Sequence, residues 1–392
     1  MAGGPLEGVR VLDFTRLLPG PLCTMFLGDM GADVIKVEDT EFGDYIRRIG
    51  RTRGTDSAYF HQLNRNKRSI RIDYRSAAGR DIVRRLAESA QIVIEGFRPG
   101  TMAGLGLGYD DLAAINPALV YCSLSGFGQT GPLRDRAGHD MNYAAYAGLA
   151  EQVGDAEGPP ANSNFQFADI AGGTMGALMS ILGALYDAQR TGSGRYLDAS
   201  ITDCAFAMTV IALAGLNANG RSPERGNELI SGRYPWYRYY ATSDGKHVHL
   251  GALEWRFWRN FCEAVGHPEW TDKQLAEGAE ADAIAATIAD IFAAKTRDEL
   301  VAELAPKDTC VAPVLTPKEA AGSALFRDRS MLVDYRHPTD GAFVQAAFPV
   351  RMTGFEFEAG PAPGHGEHSR DVLREAGLDK AEIEALAADG VI

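Results

Sequence analysis

The chain has little cysteine and a shortage of positive charge, and each lack excludes something. Five cysteines (Cys23, Cys122, Cys204, Cys262 and Cys310) are scattered over 392 residues, never as Cys-x-x-Cys. An odd, dispersed set builds neither a disulfide framework nor a zinc site, and it suits a reducing cytoplasm. Lys and Arg number 39 against 52 Asp and Glu, for a net charge of −13. So acidic a chain has no broad surface for nucleic acid or an anionic membrane, and an anionic ligand must be met by local basic patches. Met1-Ala2-Gly3-Gly4-Pro5-Leu6-Glu7 lacks a basic region followed by an apolar core, so no signal peptide is expected. Two uncharged stretches, 170–186 and 204–220, approach membrane length. They are rich in Gly, Ala, Ser, Thr and Asn, and buried helices are expected there instead.

Familiar chemical signatures are missing as well. There is no Walker loop, no His-Glu-x-x-His and no Gly-x-Ser-x-Gly elbow, and Gly104-Leu105-Gly106-Leu107-Gly108 lacks the spacing of a dinucleotide fingerprint. His247 with His249, and His365 with Glu367 and His368, lack an identifiable further ligand, so no metal is expected.

What is present is alternation of strand and helix. Strands are predicted over 9–14, 33–37, 69–73, 91–95, 119–123 and 195–200, and helices over 21–30, 77–88 and 110–116. This pattern predicts an α/β fold with a mainly parallel sheet covered on both faces. A long polar segment, 39–68, holds Arg47, Arg48, Arg51, Arg53, Arg65, Lys67 and Arg68. It is either a solvated loop or a landing site for phosphates. Pro, Gly and charge cluster at Arg221-Ser222-Pro223-Glu224-Arg225-Gly226, as at a domain crossing. Beyond it a hairpin is predicted (234–242 and 246–250), then helices to about 304 and a strand over 309–315. The chain closes with two helices broken at Gly377.

Three acid/base candidates stand out. His139 lies in Gly138-His139-Asp140-Met141-Asn142-Tyr143, at a loop-to-helix boundary; imidazole is the side chain best matched to proton transfer near neutrality. Asp169 precedes a helix expected to begin at Ile170, where it would serve as N-cap and the helix dipole would lower its pKa. Glu254 follows the apolar run 248–253.

These residues, together with Leu6-Glu7-Gly8-Val9-Arg10-Val11-Leu12-Asp13, Gly31-Ala32-Asp33-Val34-Ile35-Lys36-Val37-Glu38, Asn64-Arg65-Asn66-Lys67-Arg68-Ser69 and Ser125-Gly126-Phe127-Gly128-Gln129-Thr130-Gly131-Pro132, resemble the family III CoA-transferase (CaiB/BaiF) group, and within it the α-methylacyl-CoA racemases. The resemblance implies an interlocked, ring-like homodimer. It implies a large Rossmann-like CoA-binding domain (1–199 and 325–392), a linker helix (200–230) and a smaller α+β domain (231–324). Acyl-CoA thioesters are the implied substrates, with coenzyme A as part of the substrate and no prosthetic group. The implied CoA contacts are Ile72, Asp73, Tyr74, Arg75, Gly96, Phe97, Arg98, Gly138, Asp140, Met141, Asn142 and Tyr143. Asp39 and Gly104 stand where family members offer arginines, and the 47–53 cluster would compensate. In the racemases the catalytic pair falls at His139 and Asp169, with Glu254 assisting the histidine. In the transferases the aspartate is instead a nucleophile that forms an anhydride and then an aspartyl-CoA thioester. A histidine at 139, where formyl-CoA transferases commonly have tyrosine, points to the racemase. Arg233, where racemases have small residues, would either receive an acceptor carboxylate or face solvent.

Overall fold

A computed structural model describes residues 4–392, and the side chain of Arg53 lies outside the described residues. Six strands form one sheet: β1 (Arg10–Phe14), β2 (Asp33–Glu38), β3 (Lys67–Arg71), β4 (Ile92–Glu95), β5 (Val120–Ser125) and β6 (Arg195–Ser200). Their spatial order is β3-β2-β1-β4-β5-β6, and every neighbouring pair is parallel. The alternation in the sequence therefore gives the expected parallel sheet. β1, β2, β4 and β5 are buried almost end to end, as strands covered on both faces must be. The winding direction reverses between β1 and β4. At such a switch point the two connections diverge and leave a crevice beyond the carboxyl ends of the strands.

Lys36 interrupts the apolar run of β2 and Lys67 opens β3, and both are fully buried or nearly so. Lys67 Nζ reaches Asp13 Oδ2 (3.1 Å), Asn64 Oδ1 (2.9 Å) and the Pro21 carbonyl (2.9 Å). Asp13 also accepts from Thr24 Oγ1 (2.6 Å), midway along helix α1 (Pro19–Asp29), and from the Thr15 amide (2.9 Å). Lys36 Nζ donates to the Thr15 carbonyl (2.9 Å) and pairs with Asp44 (2.9 Å), which accepts from the Leu17 amide (3.1 Å). Leu17 thereby holds a left-handed φ of 66°. Burial opposes the charge on Lys36, but Asp44, Asp13 and Glu38 outweigh it and raise its pKa; for Lys67 burial prevails and brings it down to about 8.

By the clustering of its contacts the chain divides into two units. The first comprises Met1–Leu149, Asn164–Thr209 and Leu325–Ile392. Its main core joins Leu12, Ile35, Ile70, Val93 and Tyr121 of the sheet with Ile82, Val83 and Leu86 of helix α2 (Ala77–Ala87) and with Leu373 and Ile383 of the closing helices. Ser69 of β3 and Gly366 are joined by a hydrogen bond (2.9 Å), so the C-terminal segment completes this unit. The hairpin Leu332–His337 and Gly341–Ala346, which the sequence reading missed, turns at Pro338-Thr339-Asp340-Gly341, a recognisable turn signal. Asp340 of that turn accepts from His61 Nε2 (2.9 Å) and Thr55 N (3.1 Å). His61, His337 and Asp340 have spacing compatible with a metal ion. His337 donates through Nε2 to the Ala362 carbonyl (3.1 Å) and accepts at Nδ1 from the Asp340 amide (3.2 Å), so hydrogen bonding within the fold accounts for the grouping.

The second unit, Ala150–Ser163 and Val210–Ala324, has an antiparallel sheet of Tyr237–Ala241, His247–Gly251 and Val311–Pro313 around Trp236, Trp258, Phe261 and Phe292. The predicted hairpin is present. The predicted buried helix over 204–220 is not: the chain breaks into Ile201–Ala207 and Val210–Asn219, and the latter buries none of its side chains. By length and composition the run Phe167–Thr191 could cross a membrane, yet it packs against α1 and β5.

Removing one partner of the buried network strands the other's charge. Asp13→Ala is expected to lower unfolding free energy by about 3 kcal/mol, measured by urea denaturation. The double variant Asp13→Leu, Lys67→Met is expected to recover most of that loss.

Candidate active site

The switch point opens into a cleft of about 520 Å³ in the first unit. One wall is Thr15, Arg16 and Leu17 after β1; another is Gly96, Phe97 and Arg98 after β4; a third is Ser125, Gly126 and Phe127 at the end of β5. The remaining wall is the loop Arg134, Arg136, Ala137, Gly138 and His139 with Asn142 and Tyr143, and Asp169 faces the same space.

His139 is the N-cap residue of helix α3 (Asp140–Tyr146). Its backbone amide donates to Asn142 Oδ1 (3.0 Å) and its carbonyl accepts from the amides of Asn142 (2.8 Å) and Tyr143 (3.2 Å). The imidazole is exposed and makes no hydrogen bond among the described residues.

Asp169 departs from expectation. The helix begins earlier, with Gln166 as N-cap, and Asp169 lies in the first turn of a π-helical segment, Phe167–Thr174, that continues as α4 (Met175–Thr191). Glycine permits this: a Cβ on Gly172 would lie 3.0 Å from the Ala205 amide nitrogen and the Ile201 carbonyl oxygen, and one on Gly173 3.0 Å from the Ile201 side chain. Two amides of this turn are already engaged. The Asp169 N–H donates to Asp140 Oδ1 (3.0 Å) and the Ile170 N–H to the Gln166 carbonyl (2.9 Å). The pKa shift runs opposite to the dipole argument. Burial first, and the Asp140 charge second, push the Asp169 carboxyl up to about 7.

Of the implied CoA contacts, Gly96, Phe97, Arg98, Gly138, Asn142 and Tyr143 line the cleft. Asp140 borders it as the partner of the Asp169 amide, and Met141 is exposed on α3. Ile72, Asp73, Tyr74 and Arg75 do not line it. Ile72 is in the core, the Asp73 amide bonds the Val391 carbonyl (2.8 Å), Tyr74 is buried and Arg75 is exposed. Tyr74 nevertheless touches a wall residue: its hydroxyl accepts from Arg16 Nη2 (2.9 Å). Glu95 accepts from the Phe97 amide (2.8 Å), fixing the second wall, and burial pushes its carboxyl up to about 7.

Most cations of the basic segment are turned onto carboxylates of the fold. Arg47 is 4% exposed and pairs with Glu38 (2.7 Å) and Asp56 (2.8 Å). Arg65 pairs with Asp29 (2.6 Å), and Arg68 with Asp33 and Glu375 (2.7 Å each). Arg48 lies over the Phe42 ring, and Arg51 is exposed. In so acidic a chain these cations neutralise internal carboxylates. The cleft draws its positive charge from Arg16, Arg98, Arg134 and Arg136. Arg16, paired with Asp39 (2.7 Å), went unnoticed in the sequence, although its place two residues past β1 was a usable signal.

The model of CoA-transferase family III matches residues 6–369. The chain belongs to that family. Among family III relatives, it is 32% identical to the mouse succinyl-CoA:glutarate CoA-transferase (99% of this chain, 90% of that one). It is also 32% identical to the mouse alpha-methylacyl-CoA racemase (99% and 97%) and 31% identical to the formyl-CoA:oxalate CoA-transferase of Escherichia coli O81 (99% of each). A crystal structure of a CAIB/BAIF family protein from Brucella suis superposes with a TM-score of 0.83 at 31% identity, over 96% of this chain and all of that one. The chain is thus an enzyme of the family III CoA-transferase and racemase type.

Glu254 belongs to the second unit, where it is the exposed N-cap residue of Trp255–Ala264 with no side-chain cap bond. Arg233 of the same unit pairs with Glu277 (2.5 Å).

A raised carboxyl pKa weakens the fold wherever that carboxyl must ionise. Well below pH 3.8, the ordinary value for an aspartate, Asp169 is protonated in both folded and unfolded forms, and the penalty grows as pH rises toward about 7. Asp169→Asn is therefore expected to stabilise the protein by about 2 kcal/mol at pH 8, with the difference vanishing near pH 4, as read from urea midpoints across pH.

Proposed function

We propose that this enzyme is an acyl-CoA racemase or epimerase that inverts the α-carbon of a 2-methyl-branched acyl-CoA thioester by two-base proton transfer between His139 and Asp169. The observation that carries the reading is that both side chains belong to one cleft and that the Asp169 carboxyl is held at about 7, near the range of an imidazole. One base takes the α-proton, and the C–H electron pair moves into the thioester as an enolate. The conjugate acid of the other base then delivers its proton to the opposite face of the same carbon. The two groups end with their protonation states exchanged. A carboxyl held at about 7 can both take and return a proton near neutral pH, as inversion in both directions requires.

The four arginines of the cleft suit the phosphates of coenzyme A, with guanidinium groups able to form paired hydrogen bonds to phosphate oxygens. In this proposal Glu254 supports the imidazolium of His139. A second copy of the chain completes a homodimer. That dimer explains the apolar helix Val210–Asn219 with no buried side chain and the exposed Met179 and Tyr186 of α4. The enzyme is placed in the cytoplasm, a compartment suited to its five free thiols.

The second reading is a CoA-transferase working through an Asp169 acyl anhydride and an aspartyl-CoA thioester. It is favoured by relatives named as transferases that match at 31–32% identity, as the racemase does. Against it, the burial of Asp169 keeps much of the carboxyl protonated near neutral pH, and a nucleophile must be ionised.

His139→Gln and Asp169→Asn are each expected to lower racemisation of a 2-methyl-branched acyl-CoA by about 100-fold or more, with calorimetric CoA-ester binding nearly unchanged. Hydroxylamine trapping at Asp169, together with CoA transfer to added carboxylic acids, would replace this proposal with the second reading.

A further inference from the structure

Tyr143 lies in the cleft wall, yet its hydroxyl and its amide both donate to the backbone that carries His139. The phenol hydroxyl donates to the Gly138 carbonyl, the residue just before the histidine. The Tyr143 amide donates to the His139 carbonyl (3.2 Å), so this one residue holds the backbone on both sides of the His139 Cα. The ring meets Phe127 edge-on, with centroids 5.2 Å apart, and the side chain is 9% exposed.

The glycines around it fit the ring. A Cβ on Gly138 would stand 2.6 Å from Tyr143 Cε1, and one on Gly126 would overlap the same atom. Neither glycine has a positive φ, so neither is required by backbone conformation. Each is required by the closeness of the ring. Gly126 follows β5 directly, and Tyr143 thus ties the histidine loop to a strand end of the rigid sheet. The ring also senses the second base: burial first, then the charge of Asp169, push the phenol up to about 12, so it remains a neutral hydrogen-bond donor throughout the working pH range.

We infer that Tyr143 is a positioning residue that fixes the His139 imidazole relative to Asp169 through the Gly126–Tyr143–Gly138 lock, and is not chiefly a coenzyme A contact. This rests on the two-base reading of the same cleft. A base displaced by a fraction of an ångström loses alignment with the α-carbon while Arg16 and Arg98, the two cleft arginines on other loops, keep theirs.

The test is Tyr143→Phe, which removes the hydroxyl and keeps the ring packing. Steady-state racemisation of a 2-methyl-branched acyl-CoA is expected to show kcat reduced by about 10- to 100-fold with KM within about 2-fold, and melting temperature nearly unchanged. Side-chain NMR of the His139 ring, run without substrate, is expected to show its signals shifted and broadened in the variant. An unchanged kcat with unchanged His139 signals would overturn the inference, as would a loss confined to KM, which would make Tyr143 a CoA contact. A wild-type enzyme that fails to racemise would count against the two-base reading, and the His139 spectra would still decide whether the lock exists. Gly138→Ala, which forces the ring aside, is expected to reproduce the spectral change; wild-type spectra in that variant would contradict the lock.

Discussion

The cleft exists in its observed form because two lysines are buried in a parallel sheet with carboxylates around them. Lys36 and Lys67 bind the Thr15 carbonyl, Asp13 and Asp44, and these in turn hold the amides of Thr15 and Leu17 and the Thr24 hydroxyl of α1. The loop after β1 is thereby held open at the switch point, with Leu17 in a left-handed conformation that a free leucine avoids. An apolar residue at either lysine position would pack as well in the strand but would leave that loop without its anchors. The charges act as a specificity device: they fix one loop geometry where a hydrophobic core would permit several.

The same low-polarity surroundings act on the chemistry. Around Asp13, lysines compensate burial and keep the carboxyl ionised well below the usual range. At Asp169 no cation lies among the causes of its shift, and burial with Asp140 nearby moves the carboxyl the other way. Two aspartates in one unit thus have opposite protonation behaviour, one serving the scaffold and the other suited to proton exchange.

Much of this was legible in the sequence. Strand and helix signals located all six sheet strands to within a few residues, most plainly β1, β2, β4 and β5, which are buried almost end to end. His139 and Asp169 were found as acid/base candidates, and they do share a cleft. What escaped was set by tertiary contacts. Periodicity cannot show that Arg47 and Arg65 turn inward to Glu38 and Asp29, since a basic loop and a buried ion network have the same composition. The π-helical start around Asp169 depends on Gly172 and Gly173 meeting Ile201 and Ala205, residues about thirty positions away. The exposed apolar helix Val210–Asn219 has the sequence of a core helix, and a single chain gives its apolar side chains no cover.

The central claim is that a proton, and not coenzyme A, moves in this cleft. It is tested most directly by single-turnover reaction of one enantiomer of a 2-methyl-branched acyl-CoA in deuterium oxide, with the product resolved by configuration and mass. The account predicts deuterium at the α-carbon of the inverted product from the earliest time points. Retention of the α-hydrogen and of configuration, with coenzyme A passing to an added carboxylic acid, would contradict it.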